Sequence, residues 1–345
     1  MTNRWQNRPE GSEWGDHGAD DELGRVNLIT PEKVLQGVAE VREGRTFALS
    51  LPLDYPGGNI LNARRHPPRR EPTYAADGQP YINFPLNRID GQNTDVVSDD
   101  QVTLCLQYST QWDALSHVGS FFDADADGTD EKVYFNGFRA GEHVVGPHSY
   151  DGEAADTNNT GARRLGIQNF ARHGMQGRGV LIDLEAHVGR ARTFVDFAML
   201  SDIMQKDGVT VERGDMVIFR TGFADEILSM NRTPSKERLE NSCAVLQGRD
   251  PKLLEWISDS GAAALIADNY AVEGIPPVPA DGKRPMLPLH HHCLFKLGLP
   301  LAELWYLSEL ADWLRANGRN RFLLTAPPLN LPGAVGSPAT PVATV

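Results

Sequence analysis

Apolar positions in this chain gather in short runs separated by glycine, proline and charge, and their periods alternate between strand and helix. Gly179-Val-Leu-Ile-Asp-Leu and Asp215-Met-Val-Ile-Phe-Arg are continuous apolar runs bounded by glycine and charge, the pattern of strands covered on both faces. Between them, Thr193 to Lys206 places Val195, Met199 and Ile203 at helical spacing and stops before Gly208. Asp250 to Gly261 predicts a second helix, with Asp250 as cap, Pro251 in the first turn and Gly261 at the end. Ala262 to Asp268 then predicts a strand that ends in a carboxylate.

The outer parts are less regular. Thr30 and Pro31 open a helix whose apolar stripe is Val34, Leu35, Val38 and Val41. Phe47 to Leu53 alternates as a strand does, and Val102 to Tyr108 predicts another, delivering the chain to a turn at Ser109-Thr110. Residues 56–93, rich in Pro, Arg and Asn, predict an extended loop. The Gly/Pro/Ala-rich stretch after Asn330 predicts a low-complexity tail. No composition break divides the 345 residues, so one α/β domain with an extended N-terminal segment and a C-terminal tail is expected.

Charge narrows the partners. Lys plus Arg number 33 against 46 Asp plus Glu, a net charge of −13, which disfavours nucleic acid or an anionic membrane. No segment holds the roughly 18 uninterrupted apolar residues of a membrane span. The first ten residues lack the apolar core of a secretory signal, and Cys105, Cys243 and Cys293 are odd in number and scattered. A cytoplasmic protein with reduced thiols is the expectation. The Asn-x-Thr sequences at Asn158 and Asn231 then read as chance matches.

Two stretches carry candidate chemistry. Gln107, Gln111, Asp113 and His117 lie at spacings of four, two and four, and on a helix Asp113 and His117 would share one face. Downstream, His290-His291-His292 precedes an apolar, helix-like segment, and Glu303 sits inside Leu299-Pro-Leu-Ala-Glu-Leu-Trp-Tyr-Leu. A carboxylate in such surroundings is costly to bury without a cation or strong donor beside it. Imidazole nitrogens and carboxylate oxygens suit zinc and harder divalent ions. The plainer alternatives are a local Asp–His hydrogen bond and a half-exposed histidine turn.

Asp123-Ala-Asp-Ala-Asp-Gly128 opens like a calcium loop, but Tyr134 occupies the position of its closing Glu, so a polar turn is expected. Gly174 to Gly179 precedes a strand instead of following one and is no dinucleotide fingerprint. No nucleophile elbow or phosphate loop is present.

Together these stretches resemble the cyclase family of metal-dependent hydrolases, which includes bacterial kynurenine formamidase and isatin hydrolase. The family motif His-x-x-x-His-x-Asp-x-x-x-His falls on Gln107, Gln111, Asp113 and His117, and its late elements on Glu303 and on His290 or His291. Residues 21–32, 178–183, 220–222, 267–269 and 326–329 also look like family landmarks.

The resemblance implies a swivelling β/β/α fold, a homodimer or homotetramer, and a zinc or manganese ion that activates water to open an amide or lactone. It implies Asp113, His117, His290 or His291, and Glu303 as metal ligands, with His117 and Glu303 in the chemistry. Gln107 and Gln111 replace two histidines of the pattern and would be weak ligands at best. Trp112, beside the motif, is either an aromatic wall for a flat substrate or a core residue. A catalytically silent relative that binds a ligand without the ion is the reading from another class.

Overall fold

Nine strands form one mixed sheet, and its middle is built from the short apolar runs. The computed structural model describes residues 4–146 and 160–345, so the Asn158 sequon lies outside the described part. In chain order the strands are β1 (Thr46–Ala48), β2 (Gln111–Asp113), β3 (Gln176–Asp183), β4 (Met216–Arg220), β5 (Ala264–Ala267), β6 (Leu301–Glu303), β7 (Arg321–Thr325), β8 (Gly336–Pro338) and β9 (Val342–Thr344). Their spatial order is β1-β9-β7-β3-β4-β5-β6-β2-β8.

The four central strands, β3 to β6, run parallel, and helices connect them. Both faces are covered, so β4 and β5 are buried along their whole length. The flanking strands are antiparallel: β7 on β3 at one side, and β2 on β6 at the other. Among the described residues no helix is long and apolar enough to cross a membrane.

Helices α1 (Pro31–Ala39) and α3 (Pro251–Ser260) lie where expected, whereas α2 (Phe197–Lys206) starts later than Thr193, because Thr193–Val195 pairs as a short strand with Ala244–Leu246. Thr30, Asp196 and Asp250 each cap one, accepting from Lys33 N, Met199 N and Lys252 N.

Only part of the stripe expected on α1 faces the core, where Val34 packs. Leu35 and Val38 are 66% and 47% exposed, while Lys33 and Gly37 turn inward. Gly37 lies so close to the Gly177 backbone that a Cβ there would overlap it. Lys33 Nζ reaches Asp215 Oδ1 at 3.0 Å, and Arg178 Nε approaches the same oxygen at 2.8 Å. Asp215 is fully buried at the start of β4, and its need for cations rotates the helix against the hydrophobic pattern.

Three other expectations are corrected. The strand predicted at 102–108 ends at Thr103, because Asp100–Thr103 pairs only with Arg69–Pro72 in an exposed ribbon. Thr110, expected in a turn, stands at the start of β2 and is tied by its hydroxyl to Leu51 N and Leu304 O. The tail after Asn330 is no tail: β8 pairs with β2, and β9 fits between β7 and β1. Sheet ladders use backbone groups, so small residues qualify wherever the neighbouring strand leaves little room.

Residues 56–93 are largely irregular, as expected, with Phe84–Pro85 forming a two-residue ladder to Val96–Val97. The Asp123 to Gly128 stretch is a turn in which Asp123 accepts from Asp127 N and Gly128 N, and Asp125 pairs with Arg139 at 3.7 Å. All three cysteines are free thiols.

Candidate metal centre

Strand alternation builds the site. In β2, Gln111 and Asp113 face one side and Trp112 the other, because side chains alternate along a strand. Glu303, the last residue of β6, pairs with Gln111, and Ala302 pairs with Trp112. Glu303 therefore shares the face of Gln111 and Asp113. The site sits at the carboxyl end of β6, where open parallel sheets place their ligand crevices.

Residues next to it hold left-handed backbone. Ala271 and Val272 (φ 73° and 59°) precede Glu273, and Leu304 (φ 58°) follows Glu303. Val272 is β-branched and pays most for the left-handed region, so the surrounding contacts must hold it there.

His290 enters from the helical turn Pro288–His290, which continues as a π-helix, His291–Leu297. Its Nε2 lies 3.3 Å from Glu303 Oε1 and 3.9 Å from Asp113 Oδ2. Ligand atoms of Asp113, His290 and Glu303 all fall within 4.8 Å of one another. All three residues are buried, at 0%, 2% and 3% exposure.

A fourth residue, absent from the expected set, completes the arrangement. Glu273 accepts from Leu289 N at 2.9 Å, His290 N at 3.0 Å and His290 Nδ1 at 2.8 Å. It fixes the ring plane and turns Nε2 toward the two acids, as outer carboxylates do for metal-bound imidazoles. Gly248 leaves the space for it, since a Cβ there would overlap Glu273 Oε2. Nothing in the spacing of Tyr270-Ala-Val-Glu273 marked this role, because Glu273 meets His290 only through the fold.

The cluster's charge does not balance. Burial opposes protonation of His290, yet Glu273 and Glu303 outweigh it and raise its pKa to about 10. Burial pushes the Asp113 carboxyl up. Burial acts the same way on Glu303, but the His290 contact outweighs it and brings its pKa down. Three buried carboxylates thus face one imidazole.

Asp113 Oδ2 and Glu303 Oε2 are buried with no hydrogen-bond donor. Groups of that kind are costly unless they coordinate a cation. The residues fit a divalent ion held by one nitrogen and carboxylate oxygens, a donor set suited to zinc or manganese.

The other expected residues are placed as follows. His117 is not on a helix with Asp113; it lies in the turn after β2, its side chain 21% exposed, with Nε2 3.8 Å from Asp113 Oδ1. It stands beside the three-residue cluster, not within it. Gln107 Nε2 approaches His117 Nδ1 at 3.5 Å, and Gly336 makes room for that carboxamide. Gln111 Nε2 donates to Asp113 Oδ1 at 3.1 Å, leaving Gln111 Oε1 buried and unpartnered.

His291 does not reach the centre. Successive helical residues point about 100° apart, so one histidine of the triplet can face the cluster. The His291 ring lies tilted against Phe295, centroids 5.0 Å apart, and His292 Nε2 meets Ser258 Oγ at 3.0 Å. Trp112 is a core residue. Its ring packs edge-on against Trp305 and its Nε1 donates to Ala326 O at 2.8 Å, on the opposite face of the sheet.

Near the cluster is a narrow mouth lined by residues that include Asn62, Arg65, Gln107, Tyr108 and Tyr270. Arg65 Nη1 donates to Gln107 O at 2.6 Å, and the Arg65 charge reaches both Asp113 and Glu303. Through Arg65 the irregular segment after Pro56 thus reaches the edge of the centre.

A family model described as "Putative cyclase" matches residues 47–274, which spans Asp113, His117 and Glu273 but ends before His290 and Glu303. Among curated proteins no sequence matches this chain. The crystal structure of a novel cyclase is similar over 97% of both chains, with 28% identity and a TM-score of 0.75. Isatin hydrolase A from Ralstonia solanacearum shares 15% identity over 91% of this chain and 97% of its own, with a TM-score of 0.53. Isatin hydrolase A from Labrenzia aggregata, bound to benzyl benzoate, shares 13% identity over 90% and 97%, with a TM-score of 0.52. The last two likenesses are of fold. With well over half of its length matched by the family model, this chain belongs to the cyclase family.

Proposed function

We propose that the protein is a metal-dependent hydrolase that opens a carbon–nitrogen bond of a small cyclic or aryl amide, with a lactone or ester as the near alternative. The observation that carries this reading is the pair of donorless buried oxygens, Asp113 Oδ2 and Glu303 Oε2, facing the Nε2 of a single imidazole. Asp113, His290 and Glu303 would hold the ion, zinc or manganese. When bound, it polarises a carbonyl and brings the pKa of water down toward roughly 7.

The chain's own groups do the remainder. Glu273 keeps His290 in one tautomer and orientation. His117, at the solvent edge of the site, exchanges a proton at Nε2, the ring nitrogen beside Asp113. Gln107 at Nδ1 selects which ring nitrogen carries that proton. Arg65 and Tyr270 narrow the mouth and limit water. The fold shared with isatin hydrolases makes a cyclic amide the first substrate class to assay.

A second reading, a binding protein without turnover, is favoured by Gln107 and Gln111, whose neutral amides bind cations weakly. Metal content decides. Protein prepared without chelator and soaked in zinc or manganese should carry close to one ion per chain, and less than about 0.1 overturns the hydrolase reading. Glu303→Ala should lose the ion. His117→Ala should keep it and lose turnover, and near-normal turnover would remove His117 from the chemistry.

A further inference from the structure

Beside the mouth opens a small cleft of about 110 Å³, room for a single ring or a short apolar group. Ile60, Leu61, Phe223, Leu239, Ile275 and the Tyr270 ring form its apolar wall. Leu61 and Tyr270 line the mouth as well, so cleft and mouth share a border. Of the four polar residues on the wall, Arg192, Lys236, Glu240 and Asn269, two carry unmet polar groups.

The first is Arg192. This half-buried guanidinium makes only a 3.5 Å contact to Ile275 O and lies over the Phe194 ring at 5.7 Å. Among the described residues no carboxylate lies within ion-pairing distance of it. Every other charge on the wall is matched, because Lys236 pairs with Glu240 at 3.7 Å. Burial alone holds the Arg192 pKa below its usual value, as expected of a cation without a counter-charge.

The second is Asn269, 2% exposed. Its Nδ2 is spent on two carbonyls, Ala244 O at 2.9 Å and Val272 O at 3.4 Å, which fixes the amide's orientation. Its Oδ1 is thereby left buried without a donor.

We infer that this cleft binds the non-reacting part of the substrate, and that this part is an apolar body bearing a carboxylate that pairs with Arg192. Asn269 Oδ1 is the uncommitted acceptor for an N–H or O–H on the same body. The inference rests on the hydrolase reading only in assigning the ligand as substrate; the cleft and its unpaired cation stand without it. An Arg–carboxylate pair in a half-desolvated wall discriminates strongly against a neutral isostere.

Calorimetric titration of the full chain, stripped of metal, with benzoate and with benzamide tests the inference apart from catalysis. Benzoate should bind at least about tenfold more tightly than benzamide. Arg192→Met, which keeps the apolar stem, should erase that difference. Ile60→Trp, a substitution at a 46% exposed position that fills the cleft, should weaken both probes. Equal binding of the two probes by the unsubstituted protein, or an undiminished benzoate preference in Arg192→Met, overturns the inference. Benzoate selectivity with no metal uptake overturns the hydrolase reading and leaves the acid-binding cleft standing.

Discussion

Glu273 Oε1 lies 2.8 Å from His290 Nδ1, and the same carboxylate accepts two backbone N–H groups from the turn that carries His290. One buried acid thus sets the position, the tautomer and the ring plane of the only imidazole among the three clustered ligand groups. Glu273→Gln keeps the shape but weakens the grip on Nδ1–H. Metal affinity should fall by roughly 10–100-fold, the range for outer carboxylate partners. Titration with zinc checks this; unchanged affinity would mean that the backbone alone orients His290.

Gly248 should be nearly as sensitive although it bears no functional group. A Cβ at this position overlaps Glu273 Oε2 and crowds Leu289 N at 3.1 Å. Gly248→Ala should weaken zinc binding and cost about 1–3 kcal/mol of stability, the range for overpacking. Parallel zinc titration and chemical denaturation separate the two effects.

Trp112→Phe distinguishes a core residue from a substrate wall. The substitution leaves a ring against Trp305 and strips the buried Ala326 carbonyl of its Nε1–H donor. Stability should drop by about 1–3 kcal/mol while KM for any substrate found stays within about twofold. A large KM change with normal stability would place the indole in the pocket.

The pH dependence of stability should carry a signature from His173. Burial pushes its pKa below the ordinary value, and its Nδ1 has no partner. The unfolded chain takes up this proton near pH 6.5 and the folded chain only below that. Its stabilising contribution is therefore complete above about pH 6.5 and shrinks as the pH falls. Denaturation midpoints of the unsubstituted protein should drop more between pH 7 and pH 5 than those of His173→Leu.

Much of the fold was legible in the chain because local rules were obeyed where they were strongest. The runs at 179–184 and 215–220 became β3 and β4, and the caps Thr30 and Asp250 start their helices. Glu303 stood out as an acid in apolar surroundings and Asp113 by its spacing to Gln111 and His117, and the fold places the two acids in one cluster. Other features were hidden for specific reasons. The face of α1 was decided by Asp215, whose demand for Lys33 and Arg178 no periodicity records. Strand β8 lacked a strand signal because Gly336 and its neighbours contribute backbone and little else, and the run that forms β9 is only three residues long.

The sequence by itself determined the α/β class, the principal helices and central strands, and the chemical types available for a cation site, since period, capping and hydrophobicity act over a few residues. Only the tertiary structure decided which histidine of the triplet faces the acids, that Glu273 holds it, and that Trp112 turns away. Those choices depend on strand alternation and on contacts between residues far apart in the chain. Positions such as Glu273 and His290 are joined by packing and charge, and neither leaves a mark on its sequence neighbours.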